Sequence, residues 1–355
     1  MSFPQKVLFI GATGYIGGTV LGKLLQHPRV TNLHVTAFVR DPAKAEKLEA
    51  FGVTPVIGDN SKLELLEALA QDADVVFSVA NSDDVPAVKA ALAGAKKRFE
   101  STGRPTTFIH TSGAGIIADC TVNGAHHDSP IFDDLDETQM ATISPMQLHR
   151  PVDLELLDAD DQGYIKSYII VPTTVWGIPS GPLLDAGIQK WQNGILNFLV
   201  PASVARGQGG MVGEGRNVWN NVEVNELADL YILLYNAIMA NEETAHGRVG
   251  LYFAENGAYE LSEMSAVIAR VLFEHGKGGS PIPTSFTAEE VEKMGLIAML
   301  IASNAKCTAS RARALGWRPT KSTREMLDCV RGGDDKTCWS RAQHLMETVW
   351  RSRTP

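Results

Sequence analysis

The feature that most constrains the fold is a glycine-rich turn near the amino terminus. Residues 7–10 are the apolar run VLFI, residues 11–17 read GATGYIG, and residues 18–25 continue in a pattern suited to a helix. Glycine permits a tight turn, leaves the backbone open to a ligand, and lets the helix pack closely on the strand. A strand, a glycine turn and a helix in this order predict the first βα unit of a parallel sheet.

Strands and helices continue to alternate through the first half of the chain. Short apolar runs separated by helical segments are typical of right-handed βαβ units in a parallel sheet that is covered on both faces. The predicted strands are 6–10, 33–39, 54–57, 74–79 and 107–110, and helices are predicted to start at Ile16, Pro42, Leu63 and Val85. The predicted fold class is α/β, with a Rossmann doubly wound parallel sheet.

The glycine turn is also a candidate site for a dinucleotide. The free N–H groups and the positive dipole end of a helix amino terminus attract a pyrophosphate. Residues that follow the later strands should meet the ligand at the same edge of the sheet. The candidate cofactor-binding residues from these turns are Gly11, Ala12, Thr13, Gly14, Tyr15, Ile16, Gly17, Arg40, Asp59, Asn60, Ala80 and Asn81.

Arg40 ends the second predicted strand, where one side chain discriminates between two cofactors. An acidic residue there suits the free 2′-hydroxyl of NAD(H), whereas an arginine suits the 2′-phosphate of NADP(H). Arg40 therefore favours NADP(H) over NAD(H). The alternatives are that Arg40 pairs with Asp41 or a helix end, and that Asp41 binds a hydroxyl. Asp59 and Asn81 could equally cap the helices that follow them.

Composition and charge restrict the partners. A net charge of -9 argues against a surface for DNA or RNA, which needs clustered Lys and Arg. No apolar stretch approaches the ~20 residues that span a bilayer, and the first apolar run is too short for a signal peptide. The cysteines, at 120, 307, 329 and 338, lack metal-ligand spacing and predict free thiols. We expect a cytoplasmic protein without metal that takes a small-molecule substrate, with a homodimer left open.

Five motifs in order resemble the short-chain dehydrogenase/reductase superfamily, in its extended or atypical branch near the sugar-nucleotide epimerases and dehydratases. They are the turn at 11–17, TSG at 111–113, VPTTVWG at 171–177, NVEVNELA at 221–228 and SRARALGWRP at 310–319. The resemblance implies that Thr111 ends the fifth strand beside the cofactor and that Pro172 lines the nicotinamide. It also implies a smaller, interleaved C-terminal substrate domain.

The domain boundaries follow from this resemblance and from the loss of regular spacing after the first half. Residues 116–145 are expected to form a long loop, followed by a helix over 148–159 and a strand over 164–171. Helices are then expected over 224–239, 261–275, 288–301 and 336–350, with a short strand near 250–253. We expect a dinucleotide-binding Rossmann domain over 1–178 that is rejoined by about 216–245. The smaller substrate domain would comprise 179–215 and 246–320, and a C-terminal helical extension 321–355.

The chain departs from the family in its catalytic residues. The family uses a Tyr, a Lys four residues later, and a Ser or Thr that orients the carbonyl. None of the seven tyrosines has a Lys four positions on. Alignment of the helix before the strand at 164–171 puts Pro145 at the Tyr position and His149 at the Lys position, while Gly113 replaces the Ser or Thr. The usual proton relay is therefore absent.

Two residues remain as catalytic candidates. His149 could donate the proton, because imidazole changes charge near neutral pH, but it could equally bind a ribose hydroxyl of the cofactor or the backbone. Ser112 could polarise a carbonyl or simply bond to backbone at the strand end. We predict an atypical NADP(H)-dependent oxidoreductase that acts on a small carbonyl-containing metabolite. The alternatives are a non-catalytic NADP(H) sensor or scaffold and, less favoured, an epimerase or dehydratase.

Overall fold

A computed structural model describes residues 4–191 and 196–331, with only the backbone of residues 196 and 197. Its strands are β1 (Gln5–Ile10), β2 (Leu33–Val39), β3 (Thr54–Ile57), β4 (Val75–Ser78), β5 (Thr106–Thr111), β6 (Ile131–Asp133), β7 (Ile165–Pro172), β8 (Thr174–Trp176), β9 (Gly210–Met211), β10 (Val218–Glu223), β11 (Leu251–Ala254), β12 (Ala258–Glu260), β13 (Thr284–Ser285) and β14 (Lys306–Thr308).

The helices of the described residues alternate with these strands in the first half and predominate in the second. They are α1 (Tyr15–Leu25), α2 (Pro42–Glu49), α3 (Leu63–Gln71), α4 (Val85–Thr102), α5 (Glu137–Met140), α6 (Arg150–Asp161), α7 (Pro182–Asp185), α8 (Leu196–Arg206), α9 (Val224–Met239), α10 (Leu261–Glu274), α11 (Ala288–Met294), α12 (Leu296–Ile301), α13 (Ser310–Ala314) and α14 (Thr323–Arg331).

Seven strands form the central sheet in the order β11-β7-β5-β4-β1-β2-β3, and every neighbouring pair is parallel. The order runs in opposite directions on the two sides of β1, because β2 and β3 lie on one side and β4, β5, β7 and β11 on the other. Ligands of open α/β sheets bind at such a switch point, outside the carboxyl ends of the strands. The predicted Rossmann α/β fold is confirmed.

The helices cover both faces of the sheet because its central strands are apolar on both sides. Phe9, Phe77 and Phe108 in β1, β4 and β5 are fully buried. Close packing also depends on small residues between helices. At Gly94 in α4, an added Cβ would lie 2.1 Å from the backbone oxygen of Glu67 in α3. The two helices therefore touch backbone to backbone at this point.

A second, smaller core lies in the carboxyl-terminal half. It is built around α8, α10, α12 and α14 together with β9 and β12. Its buried members include Leu199, Val200, Val212, Tyr259, Leu261, Met264, Ile268, Leu272, Phe286, Ile301 and Met326. The division of the chain into domains at the predicted boundaries remains a prediction.

Three local expectations are wrong. The strand expected near 250–253 in the smaller domain is β11, which pairs with β7 in the large sheet because it is apolar on both faces. The long loop over 116–145 contains β6 and α5, and β6 pairs with β14. The helix expected over 288–301 is broken at Gly295, whose φ of 57° lies in the left-handed region.

The cysteines and the carboxyl-terminal region also differ in part from expectation. Cys120 and Cys307 are free, but Cys329 is disulfide-bonded, so the expectation of a free thiol is wrong there. α14 begins the predicted extension over 321–355, and the helix expected at 336–350 and Cys338 lie outside the described residues. Within residues 4–191 and 196–331, no helix has the length and apolar character needed to cross a bilayer.

Candidate cofactor and active site

A cleft of about 820 Å³ opens at the carboxyl ends of β1 to β4. Eleven residues predicted to bind the cofactor line it: Gly11, Thr13, Gly14, Tyr15, Ile16, Arg40, Asp59, Asn60, Ala80, Asn81 and Thr111. The predicted cofactor residues Ala12, Gly17, His149 and Pro172 do not line the cleft. The switch point of the sheet therefore gathers most of the predicted cofactor residues at one place.

The glycine turn leaves the backbone open at the amino end of α1. Gly11 has a φ of 96°, and an added Cβ on Gly17 would lie 2.2 Å from the Gly11 carbonyl oxygen. Gly14 is the N-cap and provides no side-chain hydrogen bond, and the first turn of α1 has no acidic residue. Uncapped N–H groups next to a turn without side chains fit the pyrophosphate of a dinucleotide.

A distant part of the chain closes over this turn. The Lys190 N–H donates to the Thr13 carbonyl oxygen at 3.0 Å, and the Gln189 amide donates to the Thr19 hydroxyl at 2.7 Å. The Tyr15 hydroxyl donates to the carbonyl oxygen of Gly177 at 2.7 Å. Lys190 lines the cleft, and sequence reasoning missed it because no motif or periodicity connects residue 190 with the first turn.

Arg40 lies at the rim of the cleft, exposed and without a hydrogen bond or ion pair to any other described residue. Asp41 is engaged elsewhere, because its carboxylate accepts the Ala43 and Lys44 N–H groups at 3.0 and 3.3 Å as the N-cap of α2. The alternative pairing of Arg40 with Asp41 is therefore not seen. The guanidinium is available to a ligand.

Asp59 and Asn81 do not cap the helices that follow them. The Asp59 carboxylate accepts from the hydroxyl and N–H of Ser61, which lower its pKa, and the charge of Arg40 adds to this. Asn81 accepts the N–H of Asp83 at 3.1 Å, while Asp84 caps α4. Both residues shape turns along the cleft wall.

His149 does not lie within a helix as expected; it is the N-cap of α6, with a left-handed φ of 68°. Pro151 places the start of α6 here, since proline is favoured in the first turn. The imidazole Nδ1 lies 2.8 Å from Asp83 Oδ1 and 2.9 Å from the Ser82 hydroxyl, and the side chain is 17% exposed. Sequence reasoning missed both Asp83 and Ser82.

The imidazole occupies space that two glycines leave empty. An added Cβ would lie 2.9 Å from His149 Nε2 at Gly113 and 3.2 Å from it at Gly115. Contacts below 3.4 Å leave no room for a side chain unless the ring shifts. His149 thus joins the loop after β4, which contains Asp83, to the loop after β5.

Residues 11–119 match the sequence model of a family described as NAD(P)H-binding. The predicted resemblance is confirmed at the level of the fold by solved structures. UDP-glucose 4-epimerase of Thermotoga maritima, solved with UDP-glucose, has a TM-score of 0.60 at 15% identity and covers 96% of this chain and 100% of its own. This chain therefore has the same fold as that epimerase.

A second solved structure and a protein of similar sequence also match this chain. Yeast methylglyoxal/isovaleraldehyde reductase, solved with NADPH, has a TM-score of 0.55 at 15% identity and covers 91% of this chain and 97% of its own. Oxidase ucsJ of Acremonium sp. is 28% identical over 332 residues, which are 89% of this chain and 93% of that protein. Residues 11–119 thus match an NAD(P)H-binding sequence family, within a fold that an epimerase and a reductase also have.

Ser112, the other catalytic candidate, is buried beside α6. It is 4% exposed, does not line the cleft, and donates to Asp153 Oδ2 in α6 at 3.0 Å. Burial raises the pKa of Asp153 to about 7. The alternative of a bond to backbone is not seen either, since the hydroxyl instead anchors α6 through its buried carboxyl group.

The remaining predicted residues have simple surroundings. Thr111 lines the cleft, and its hydroxyl lies 2.6 Å from the Tyr231 hydroxyl. Pro172 is buried at the end of β7 and pairs in register with Ala254. Among residues 4–191 and 196–331, no group of three or more His, Cys, Asp or Glu side chains could hold a metal ion.

Proposed function

We propose that this chain is an NADP(H)-dependent oxidoreductase that reduces a small carbonyl compound or oxidises the corresponding alcohol. The observation that carries the proposal is the unpaired Arg40 guanidinium at the end of β2, on the rim of the cleft. A guanidinium suits a 2′-phosphate, and the carboxylate of Asp41, which would suit a 2′-hydroxyl, already caps α2. The yeast reductase of the same fold was solved with NADPH, which supports this cofactor.

A second positive charge supports phosphate binding at the same cleft. The side chain of Lys190 is exposed and has no partner among the described residues. Its backbone is fixed over the glycine turn by the bond to Thr13. Lys190 and Arg40 therefore offer two cations to the phosphates of an anionic dinucleotide, in a protein whose net charge is -9.

His149 is the proton donor in this proposal, because the family's Tyr and Lys are absent. When bound, the reduced cofactor supplies a hydride to the carbonyl carbon. The oxygen then needs one proton, which a protonated imidazole can give near neutral pH. The His149 side chain is partly exposed, and Asp83 fixes one of its ring nitrogens.

The Arg40→Ala variant tests the choice of cofactor. We expect NADPH binding to weaken by about 10- to 100-fold, because a charge-assisted hydrogen bond to the 2′-phosphate is lost. NADH binding should change by less than about twofold, since NADH lacks this phosphate. Titration calorimetry with both cofactors measures the difference. Arg324→Ala, at a side chain 91% exposed in α14, is the control. Equal losses for NADPH and NADH would contradict the NADP(H) preference.

Turnover separates an enzyme from the non-catalytic alternative. Purified protein should oxidise NADPH in the presence of at least one member of a panel of small aldehydes, ketones and imines, and His149→Gln should reduce this rate by about 100-fold or more. Absorbance at the NADPH band measures both. NADPH binding with no turnover across the panel would contradict the oxidoreductase and support a sensor or scaffold.

A further inference from the structure

The loop after β4 contains the carboxylate of Asp83, which forms two hydrogen bonds with one residue, His149. Asp83 Oδ1 lies 2.8 Å from His149 Nδ1 and also accepts the His149 backbone N–H at 3.0 Å. We propose that Asp83 is the positioning residue of the active site. It holds His149 with a proton on Nδ1 and presents Nε2 as the atom that exchanges a proton with the substrate oxygen. This inference rests on the proposed function above.

The chemistry of the carboxylate selects one tautomer of the imidazole. An ionised carboxylate can only accept hydrogen bonds, so the ring nitrogen that faces it must carry a proton. The Ser82 hydroxyl, 2.9 Å from the same Nδ1, can act as a second acceptor. In the other tautomer, the lone pair of Nδ1 would face the negative charge of Asp83. The neutral ring therefore carries its proton on Nδ1.

The backbone of His149 shows that this orientation is held against a conformational cost. A non-glycine residue at a φ of 68° is strained. Two hydrogen bonds to Asp83 Oδ1 hold the backbone and the ring of His149. Such strain persists only where the surroundings fix the conformation, and it concentrates at functional sites.

The second ring nitrogen of His149, Nε2, has no hydrogen-bond partner among the described residues. It lies against the bare backbone of Gly113 and Gly115. Asp83 follows Asn81 in the loop after β4, and Asn81 lines the cofactor cleft. The loop after β4 thus contacts His149 through Asp83 and lines the cofactor cleft through Asn81.

The proton balance follows from this geometry. In reduction, the Nε2–H bond of the imidazolium breaks and an O–H bond forms on the substrate, which has accepted the hydride at carbon. The ring becomes neutral and keeps the proton on Nδ1, which it donates to Asp83. Solvent then restores the proton on Nε2. In oxidation, the neutral Nε2 takes the alcohol proton.

The first experiment determines the tautomer of His149 and does not depend on turnover. In the wild-type protein bound to NADPH, ¹H–¹⁵N correlation of the ring nitrogens should place the neutral proton of His149 on Nδ1. In Asp83→Ala, both bonds to Oδ1 are lost and no carboxylate faces Nδ1, so the share of neutral rings that carry the proton on Nε2 should rise. A wild-type ring that is protonated on Nε2 when neutral, or the same tautomer in both proteins, overturns the proposal.

The second experiment reads the reaction. Asp83→Ala should lower kcat by about 10²- to 10⁴-fold, the range of general acid–base catalysis. NADPH affinity and KM should stay within about twofold, and Asp83→Glu should recover part of the rate and of the wild-type pH profile. Asp158→Ala, at an exposed ion pair of α6, is the control. An unchanged kcat and pH profile in Asp83→Ala overturns the proposal.

The two experiments distinguish this inference from the proposed function. A wild-type protein that binds NADPH but turns over no substrate contradicts the oxidoreductase, whereas the tautomer still decides whether Asp83 sets the protonation of His149. Turnover that Asp83→Ala leaves unchanged would instead support the oxidoreductase and exclude Asp83 from its mechanism.

Discussion

Gly113 leaves space that the imidazole of His149 occupies. A Cβ at position 113 would lie 2.9 Å from His149 Nε2. The two residues come from different elements, the loop after β5 and the N-cap of α6. The position of the ring therefore depends on the absence of a side chain at position 113.

The Gly113→Ala variant tests whether the imidazole needs this space. The added methyl would lie 2.9 Å from Nε2, so the ring must shift, and we expect kcat to fall by about 100-fold while NADPH affinity changes little. Steady-state kinetics and cofactor titration measure the two effects. Gly279→Ala, where the nearest atom lies 3.9 Å away, is the control. A wild-type kcat in Gly113→Ala would show that the ring position does not matter for turnover.

α1 shows how glycines within one helix serve different contacts. An added Cβ on Gly17 would meet the Gly11 carbonyl oxygen at 2.2 Å, and one on Gly18 would meet the Gln189 side chain at 2.6 Å. At Gly22, the nearest atom is Leu183 Cγ at 3.9 Å. The glycines near the turn are therefore required by close contacts, whereas Gly22 is not.

Gly22→Ala and Gly17→Ala should change the free energy of unfolding in opposite directions. Alanine in a helix is favoured over glycine by about 1 kcal/mol, so Gly22→Ala should be more stable than the wild type. Gly17→Ala should be less stable and should lose NADPH binding, because the turn must open. Urea unfolding and cofactor titration measure both. A loss of stability in Gly22→Ala would contradict the free space seen beside it.

The elements that sequence reasoning placed well are those with a strong local pattern. β2, β3 and α9 have the expected bounds, and the helices after β2 and β3 begin at the expected residues. Other features depended on distant contacts. The strand near 250 joins the large sheet through β7, and Lys190 reaches the cleft through Thr13. Asp83 was missed because its partner His149 is 66 residues away. Spacing along the chain does not encode such pairs.

The interior of the molecule contains carboxyl groups that resist ionisation. Burial raises the pKa of Asp153 to about 7 and that of Asp134 to about 6. Asp134 accepts the N–H groups of Phe253 and Arg311, whereas Asp153 Oδ1 has no partner among the described residues. Both groups connect segments that are far apart in the chain, so their protonation affects the stability of the whole fold.

The stability of the protein should therefore fall as pH rises towards neutrality. Between about pH 4, the unfolded pKa of Asp, and the folded value of about 7, Asp153 keeps a proton that the unfolded chain releases. This group lowers the free energy of unfolding by up to about 1.4 kcal/mol per pH unit in that window. Urea unfolding at several pH values should show a shallower slope for Asp153→Asn than for wild type or Asp158→Asn. Equal slopes would contradict this linkage.

The contact between His149 and Gly113 also restricts which residues can occupy the two positions together. A Ser or Thr side chain at 113 would collide with the ring in its present position. The imidazole therefore fits there only when residue 113 is glycine. Among homologous chains, histidine at 149 should therefore co-vary with glycine at 113 and 115, and intermediates with both side chains should be rare.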